Sequence, residues 1–469
     1  MTDTNSINTG IINSTVLISI IMLTSFFNAF MAAAVNIAIP DIAKEYDMDA
    51  VTISWVAMSF LLSAAIFLVP FGKLADIFGR KKLFLTGNII FASSSVLCVF
   101  SVSGEMLIVI RFIQGIGSAM IMSTGMAIVI SAFPPQKRGR MLGLVVSAVY
   151  IGLTLAPVLG GMLTQSLGWR SIFVVNAIAG AAVILGVILK VKAEWAEAKN
   201  ESFDVPGALV YMVSMFVLMY GFSKLPKEYA IIMVVAGLAG MTGFVIIESR
   251  ARYPVLNTGL FGRNRVFAFS NLAALINYAA TFAITFVLSL YLQYVKGLEP
   301  RDAGLILITQ PAVMALTAGI AGRLSDKYDS RILASLGMAV IVAGLALLYF
   351  LDTKTENIYI ITSLVIVGLG FGFFSTPNTN SIMSSVEKRF LGVASATQST
   401  MRITGQMMSM AIAAMIMHML IGDEKITKNN TAMFMKSAQI IFLVFAFLCF
   451  LGIFASLARG KKENQEKNS

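Results

Sequence analysis

The sequence predicts an all-α integral membrane protein. Three observations carry that prediction. Of the 469 residues, 57% are hydrophobic and 13% charged, whereas a soluble domain carries about a quarter of its residues as charge. The apolar residues gather into fourteen runs along nearly the whole chain, each about 18 residues or longer, which is the length a helix needs to cross hydrocarbon. The basic residues fall in short segments between the runs. A net charge of +11, with no basic arm and no zinc-finger spacing, therefore points to membrane orientation and away from a nucleic-acid partner.

Spans are expected near residues 13–36, 51–71, 83–103, 105–128, 141–163, 171–190, 205–223, 229–247, 267–294, 303–321, 332–350, 357–376, 391–418 and 433–457. A helix satisfies its own backbone in lipid, so each run is read as one helix. The first run lacks the basic and cleavable flanks of a secretory signal and is read as a retained span. With the amino terminus inside, the inner segments hold 23 Lys and Arg residues and the outer segments 10. That bias predicts a multi-pass cell-membrane protein with both termini cytoplasmic.

The short stretch GKLADIFGRKK at 72–82 joins the second and third spans, and GRLSDKYDSR at 322–331 joins the tenth and eleventh. Asp76 and Asp326 stand 250 residues apart. KRGRMLG at 137–143 resembles EKRFLG at 387–392, and the glycine pair Gly115 and Gly117 resembles Gly370 and Gly372 at an offset of 255. Matches at nearly one offset predict two similar halves in parallel orientation. The expected division is a six-helix half over 1–190, two additional helices and their linkers over 191–266, and a second six-helix half with its tail over 267–469. Parallel repeats of this kind suit a transporter with its solute path between the halves.

The motifs then become specific. Gly72, Leu74, Asp76, Gly79, Arg80 and Lys81 form an inner-corner signature, and Arg111, Gln114, Gly115 and Gly117 form RxxQGxG in the fourth span. Gly152, Pro157, Gly160 and Gly161 mark the fifth span, and Trp169, Arg170, Phe173 and Asn176 follow as WRxxFxxN. With these residues the chain resembles the major facilitator superfamily, and within it the fourteen-span drug:proton antiporter branch. The resemblance implies a major facilitator fold with two additional central helices, alternating access, and export of amphipathic or lipophilic compounds in exchange for protons. It also implies an acid five residues before Asn36, where this chain has Met31. Met31→Asp is therefore expected to supply a proton or cation partner if position 31 faces the solute path.

Roles for the individual residues follow. Asp76 and Arg80, with Asp326 as a looser counterpart, are expected to latch and release the halves, while Gly72 and Gly79 allow tight turns. Arg111, Gln114 and Arg402 are the candidates for a polar network inside the membrane, where an ionisable side chain is expensive unless paired or hydrated. Gly152, Pro157, Gly160 and Gly161 are expected to let helices meet closely and to bend the span at an interface that opens and closes. Solute-path candidates are Asn28, Met31, Asn36, Asn176, Asn277, Gln310, Asn378, Asn380 and Gln406, with Phe27, Phe30, Phe282 and Phe286 as apolar wall.

No cofactor is expected. Cys98 and Cys449 lie in apolar runs, His418 ends one, and no GxxxxGK[ST] loop is present, so an ion gradient rather than a nucleotide is the expected energy source. The partners expected are the bilayer, a small amphipathic or lipophilic solute and coupled protons, with one chain sufficient for function. The alternatives are a uniporter or specialised exporter of a neutral metabolite or lipid, and a membrane sensor that keeps the scaffold without transport.

Overall fold

The structure, a computed structural model, describes residues 14–199, 201–225, 227–251, 253–255, 261–262, 264–386, 391–422, 424–426 and 430–460. Residues 387–390 of the second repeat match, most of 252–261 and the side chain of Asp326 lie outside the described residues. Among the described residues, fourteen helical spans are long and apolar enough to cross a membrane.

The first six are α1 (Ser14–Glu45), α2 (Ala50–Phe78), α3 (Arg80–Val99), α4 (Gly104–Ala132), α5 (Pro135–Leu167) and α6 (Arg170–Lys190). The central pair is α7 (Val205–Lys224) and α8 (Glu228–Arg250). The ninth span is α9 (Arg265–Thr281), α10 (Ala283–Leu290) and a π turn at Tyr291–Val295; the tenth is α11 (Pro300–Leu307) and α12 (Thr309–Lys327). The remaining four are α13 (Ser330–Tyr349), α14 (Asn357–Ser384), α15 (Leu391–Ile421) and α16 (Thr431–Ala458). Local chemistry sets several starts. Asp49 accepts from the amides of Val51 and Thr52 at 2.8 and 2.7 Å, and Asn264 accepts from Phe267 at 2.9 Å. Each side chain satisfies helix-start donors that lack an intrahelical partner.

The halves repeat one packing pattern. α4 lies against α2 and α3, α3 against α6, and α1 against α5; in the same way α14 lies against α12 and α13, α13 against α16, and α9 against α15. Glycine contacts fix the correspondence. A Cβ on Gly117 would lie 2.7 Å from the Gly87 carbonyl, and one on Gly370 would lie 2.6 Å from the Gly337 carbonyl. Gly115 faces Phe60 and Ser63, as Gly368 faces Gln310 and Val313. The structural partners of Gly115 and Gly117 are thus Gly368 and Gly370, at an offset of 253 rather than 255. Alternating glycines at 368, 370 and 372 made the register ambiguous by one repeat of two. α7 packs on α8 and touches both α2 and α15, with the Tyr211 hydroxyl donating to the Ala65 carbonyl at 3.0 Å.

The polar stretch at 72–82 is not a loop. α2 and α3 meet at a single residue, Gly79, with φ of 119°. A side chain there would be strained, because this backbone region favours glycine. Gly72, by contrast, sits inside α2 and makes no turn. At the repeat-related corner Tyr328 keeps φ at −116°, and the Asp329 carboxylate caps α13 by accepting from the Arg331 amide at 2.9 Å. The two corners follow two and ten spans, so both lie on one side of the bundle, called below the corner face.

Candidate functional site

A cavity of about 570 Å³ lies between the halves. Its first-half wall comes from α1, α4 and α5, including Asn36, Ile130, Arg138, Tyr150 and Pro157. Its second-half wall comes from α9, α12, α14 and α15, including Tyr278, Gln310, Phe371, Gln398, Arg402 and Gln406. Arg138 is in the first turn of α5, while Ile130 and Met383 are near the last turns of α4 and α14. The cavity therefore reaches the corner face.

The opposite end is sealed by contacts from half to half. Ser289 donates to the Asn36 carbonyl at 2.9 Å, and Gln293 Nε2 to the Ile37 carbonyl at 3.0 Å. The π turn that carries Gln293 interrupts a membrane helix, a feature found often where a helix serves a site. Farther out, the Ala50 amide donates to the Glu424 carbonyl at 3.0 Å, and Lys425 pairs with Asp47 at 2.5 Å. The fifth-span glycines divide their work. Gly152 lies against the α1 backbone at Phe26, and Gly160 against Ala34 of the same helix. Gly161 meets Pro300 and Arg301 of the other half, and Gly304 of α11 meets Pro157 in return.

Asn36, Gln310, Arg402, Gln406 and Pro157 line the cavity, and so does Phe282. Asn28 instead accepts from Ser118 at 3.0 Å inside the first half. Asn176 donates to Ser95 at 2.6 Å, and Asn378 to the Ser270 carbonyl at 3.1 Å. Asn277 is fully buried away from the cavity, and Asn380 reaches Ser325 near the corner face. Phe27 and Phe30 pack on each other, and Phe286 lies in the core. Met31 is 0% exposed and does not line the cavity. The cause is helical rotation: at about 100° per residue, positions 31 and 36 point about 140° apart. Met31→Asp would thus place a carboxyl in the packed interior of the first half, not on the path. It is expected to lower stability by about 3 kcal/mol, the scale of an unpaired buried charge. Thermal unfolding in detergent checks this; an unchanged melting temperature with new proton-coupled flux would reverse the assignment.

Arg111 and Arg402 belong to different sites. Arg111 is 1% exposed. Its guanidinium donates to Gln114 Oε1 at 2.5 Å and to the Val56 carbonyl at 3.2 Å, and it lies 4.4 Å from the Phe60 ring centroid. Gln114 passes the network on to Ser95 at 2.7 Å. This array fastens α2, α3, α4 and α6 together within the first half. Arg402 stands on the cavity side of α15, with Gln398 and Gln406 one turn to either side. Polar residues four apart share a helix face, so the series Gln398, Arg402, Gln406 was a legible signal of a wet stripe. Tyr150 and Tyr278 had no such signal. The Tyr150 hydroxyl meets Ser375 Oγ at 3.0 Å across the two halves.

At the corner, Arg80 pairs with Asp76 at 2.7 Å and with Glu197 at 2.7 Å, and also bonds Ser131 of α4. The segment after α6 is laid over this corner. Glu194 accepts from the amides of Lys81 and Lys82 at 2.8 and 3.2 Å, which puts a negative charge at the start of α3 where the helix dipole favours it. Glu201 pairs with Lys73. Spacing in the sequence pairs Asp76 with Arg80 but gives no sign of these acids, which stand over 110 residues away in the chain. Leu74 is half-buried beside them.

Among the described residues no group of three His, Cys, Asp or Glu side chains is placed to hold a metal ion. The Major Facilitator Superfamily profile matches residues 21–402 and 270–469. The riboflavin transporter RibZ of Clostridioides difficile is 29% identical over 442 residues, covering 93% of this chain and 96% of that protein. Multidrug resistance protein 3 of Bacillus subtilis is 29% identical over 399 residues, covering 84% of this chain and 76% of its own. The fold is similar to that of a bacterial homologue of the human lysosomal transporter Spinster, solved inward-facing and occupied, with a TM-score of 0.64, 15% identity, and coverage of 95% and 96% of the two chains.

Proposed function

The chain belongs to the Major Facilitator Superfamily, and from that premise we propose that it exports small amphipathic or lipophilic organic solutes from the cytoplasm. At the coarser level it is a multi-pass membrane transporter that moves small organic solutes by alternating access, and not an enzyme. One observation carries the finer reading: a cavity of about 570 Å³ between two similar halves, open at one face and closed at the other. That volume suits one drug-sized molecule. The excess of basic residues on the corner-face segments supports a cytoplasmic corner face, so the captured state is ready to load from inside. Relatives named for riboflavin transport and multidrug resistance support a small organic load.

Proton antiport is the coupling that the motif resemblance to the drug:proton antiporter branch implies. A second reading, uniport, is favoured by one feature: among the described residues lining the cavity there is no aspartate or glutamate. Flux of riboflavin and of a neutral amphiphilic dye in proteoliposomes, with and without a pH gradient, separates the two. Gradient-driven accumulation with proton counterflow supports antiport, and equilibration alone supports uniport. No flux of either compound, nor of carboxylate and ammonium analogues of the dye, defeats the export reading.

Orientation has its own test. Lys82 and Lys354 are exposed on opposite faces, and both native cysteines are buried. In intact cells an impermeant maleimide is expected to label Lys354→Cys and to spare Lys82→Cys until the membrane is permeabilised. The reverse pattern would make the captured state outward-facing.

A further inference from the structure

Every ion pair found among the described residues lies at one of the two faces of the bundle: Arg80 with Asp76 and Glu197, Lys73 with Glu201, Arg331 with Asp329, Arg170 with Glu45, and Lys425 with Asp47. Among the described residues, two arginines lie seven or more residues from either end of their helices, Arg111 and Arg402. Arg111 is satisfied by protein groups, as described above. Arg402 is not. It stands eleven residues into α15, about 16 Å along the helix at 1.5 Å per residue. It is half-buried, and it has no ion-pair or hydrogen-bond partner among the described residues. Its electrostatic neighbour is the Tyr278 phenol.

A guanidinium held in a membrane interior without a counter-ion costs several kcal/mol, which is why such groups face water or an opposite charge. Among the described residues that line it, the cavity supplies no opposite charge. Arg138, nearer the corner face, is the other charged residue in its wall and has the same sign. The far end offers something different. Asn36 Oδ1 and Gln310 Oε1 are buried acceptors without a donor among the described residues, and both residues line the cavity. Phe282 and Phe371 supply apolar wall between polar groups.

We propose that Arg402 is the anion-binding residue of this cavity and that the solute is an amphipathic organic carboxylate. This deepens the transport reading above and rests on it. The planar fork of donors on Arg402 matches a carboxylate through two parallel hydrogen bonds, a geometry that an ammonium does not offer. The aromatic walls take the apolar body of the solute, and Asn36 and Gln310 accept from a donor at its other end. Arg138 raises the local concentration of anions at the mouth. The same two positive charges disfavour lipophilic cations.

Three coumarins of one size test the assignment: 7-methoxycoumarin-3-carboxylate, its primary amide, and an analogue carrying a trimethylammonium group. Binding to the purified full chain is read by fluorescence in detergent, and flux is read separately in proteoliposomes. The carboxylate is expected to bind about tenfold tighter than the amide, with the cation weakest, on the scale of one charge-assisted bidentate contact. Arg402→Gln is expected to erase that preference by weakening the carboxylate while leaving the amide within about threefold, and Arg402→Lys to restore part of it. Equal binding of carboxylate and amide, no carboxylate binding at millimolar concentration, or a preference that survives Arg402→Gln would each overturn the proposal. If Arg402→Gln does not fold, the wild-type comparison decides. Charge-selective binding without flux keeps the anion site and defeats transport. Equal flux of all three probes keeps transport and defeats the anion site.

Discussion

Gln114→Leu is expected to lower the stability of the protein by about 3 kcal/mol, the scale for leaving a buried charge uncompensated. The side chain it removes accepts from Arg111 at 2.5 Å and donates to Ser95 at 2.7 Å. Arg111 is 1% exposed and would keep only the Val56 carbonyl and the Phe60 ring. A charged donor left unpaired away from water is penalised far more than the same charge removed together with its partner. The double variant Arg111→Met with Gln114→Leu is therefore expected to regain most of the lost stability. Thermal or denaturant unfolding of the four proteins in one detergent forms the cycle. Additive losses would mean that Arg111 and Gln114 do not act as a unit. Full stability in the double variant with no transport would give Arg111 a direct part in the transport cycle.

Gly161→Val is expected to prevent the sealed end from closing. The first atom of any side chain at this position meets the Pro300 carbonyl and lies 3.0 Å from Arg301 Cα, both on the backbone of the opposing half. Backbone at a helix start cannot swing aside as a flexible side chain can, so α5 and α11 must part. A shift of about 1.4 kcal/mol changes the open-to-closed ratio tenfold. Transport is accordingly expected to fall about tenfold or more. Ser289→Cys reports the seal, because Ser289 is 0% exposed against Asn36. Its reaction with an external impermeant maleimide should rise by a similar factor in the Gly161→Val background. Gly304→Val makes the reciprocal clash with Pro157, and should do the same. Gly143→Ala meets nothing within 4 Å and serves as the control. Unchanged labelling and transport in both valine variants would remove this seam from the gating surface.

The corner shows how far the sequence could be followed. Asp76 and Arg80 were legible as a pair because they are four residues apart, and Gly79 because a corner between two helices favours a residue without a side chain. The acids that complete the corner, Glu194, Glu197 and Glu201, carried no local sign of their destination. On α1 the sequence leads one to expect Asn28, Met31 and Asn36 along one path. Only Asn36 reaches it, because the three residues point in different directions around a helix whose faces meet α4, α5 and α6 as well as the other half. The helix also runs past Pro40 to Glu45, and the ninth and tenth spans are interrupted, adjustments that neighbouring helices make tolerable.

The sequence by itself determined an all-α chain of fourteen spans and the two-part kinship of its ends. Hydropathy is a local property, and a bilayer accepts few answers to a long apolar run. The tertiary structure alone decided which polar side chains converge. It set Arg111 into a closed network inside one half and left Arg402 facing a cavity. That outcome depends on the rotation of each helix against neighbours hundreds of residues away, and close contacts such as Gly161 on Pro300 fix it where no local pattern can.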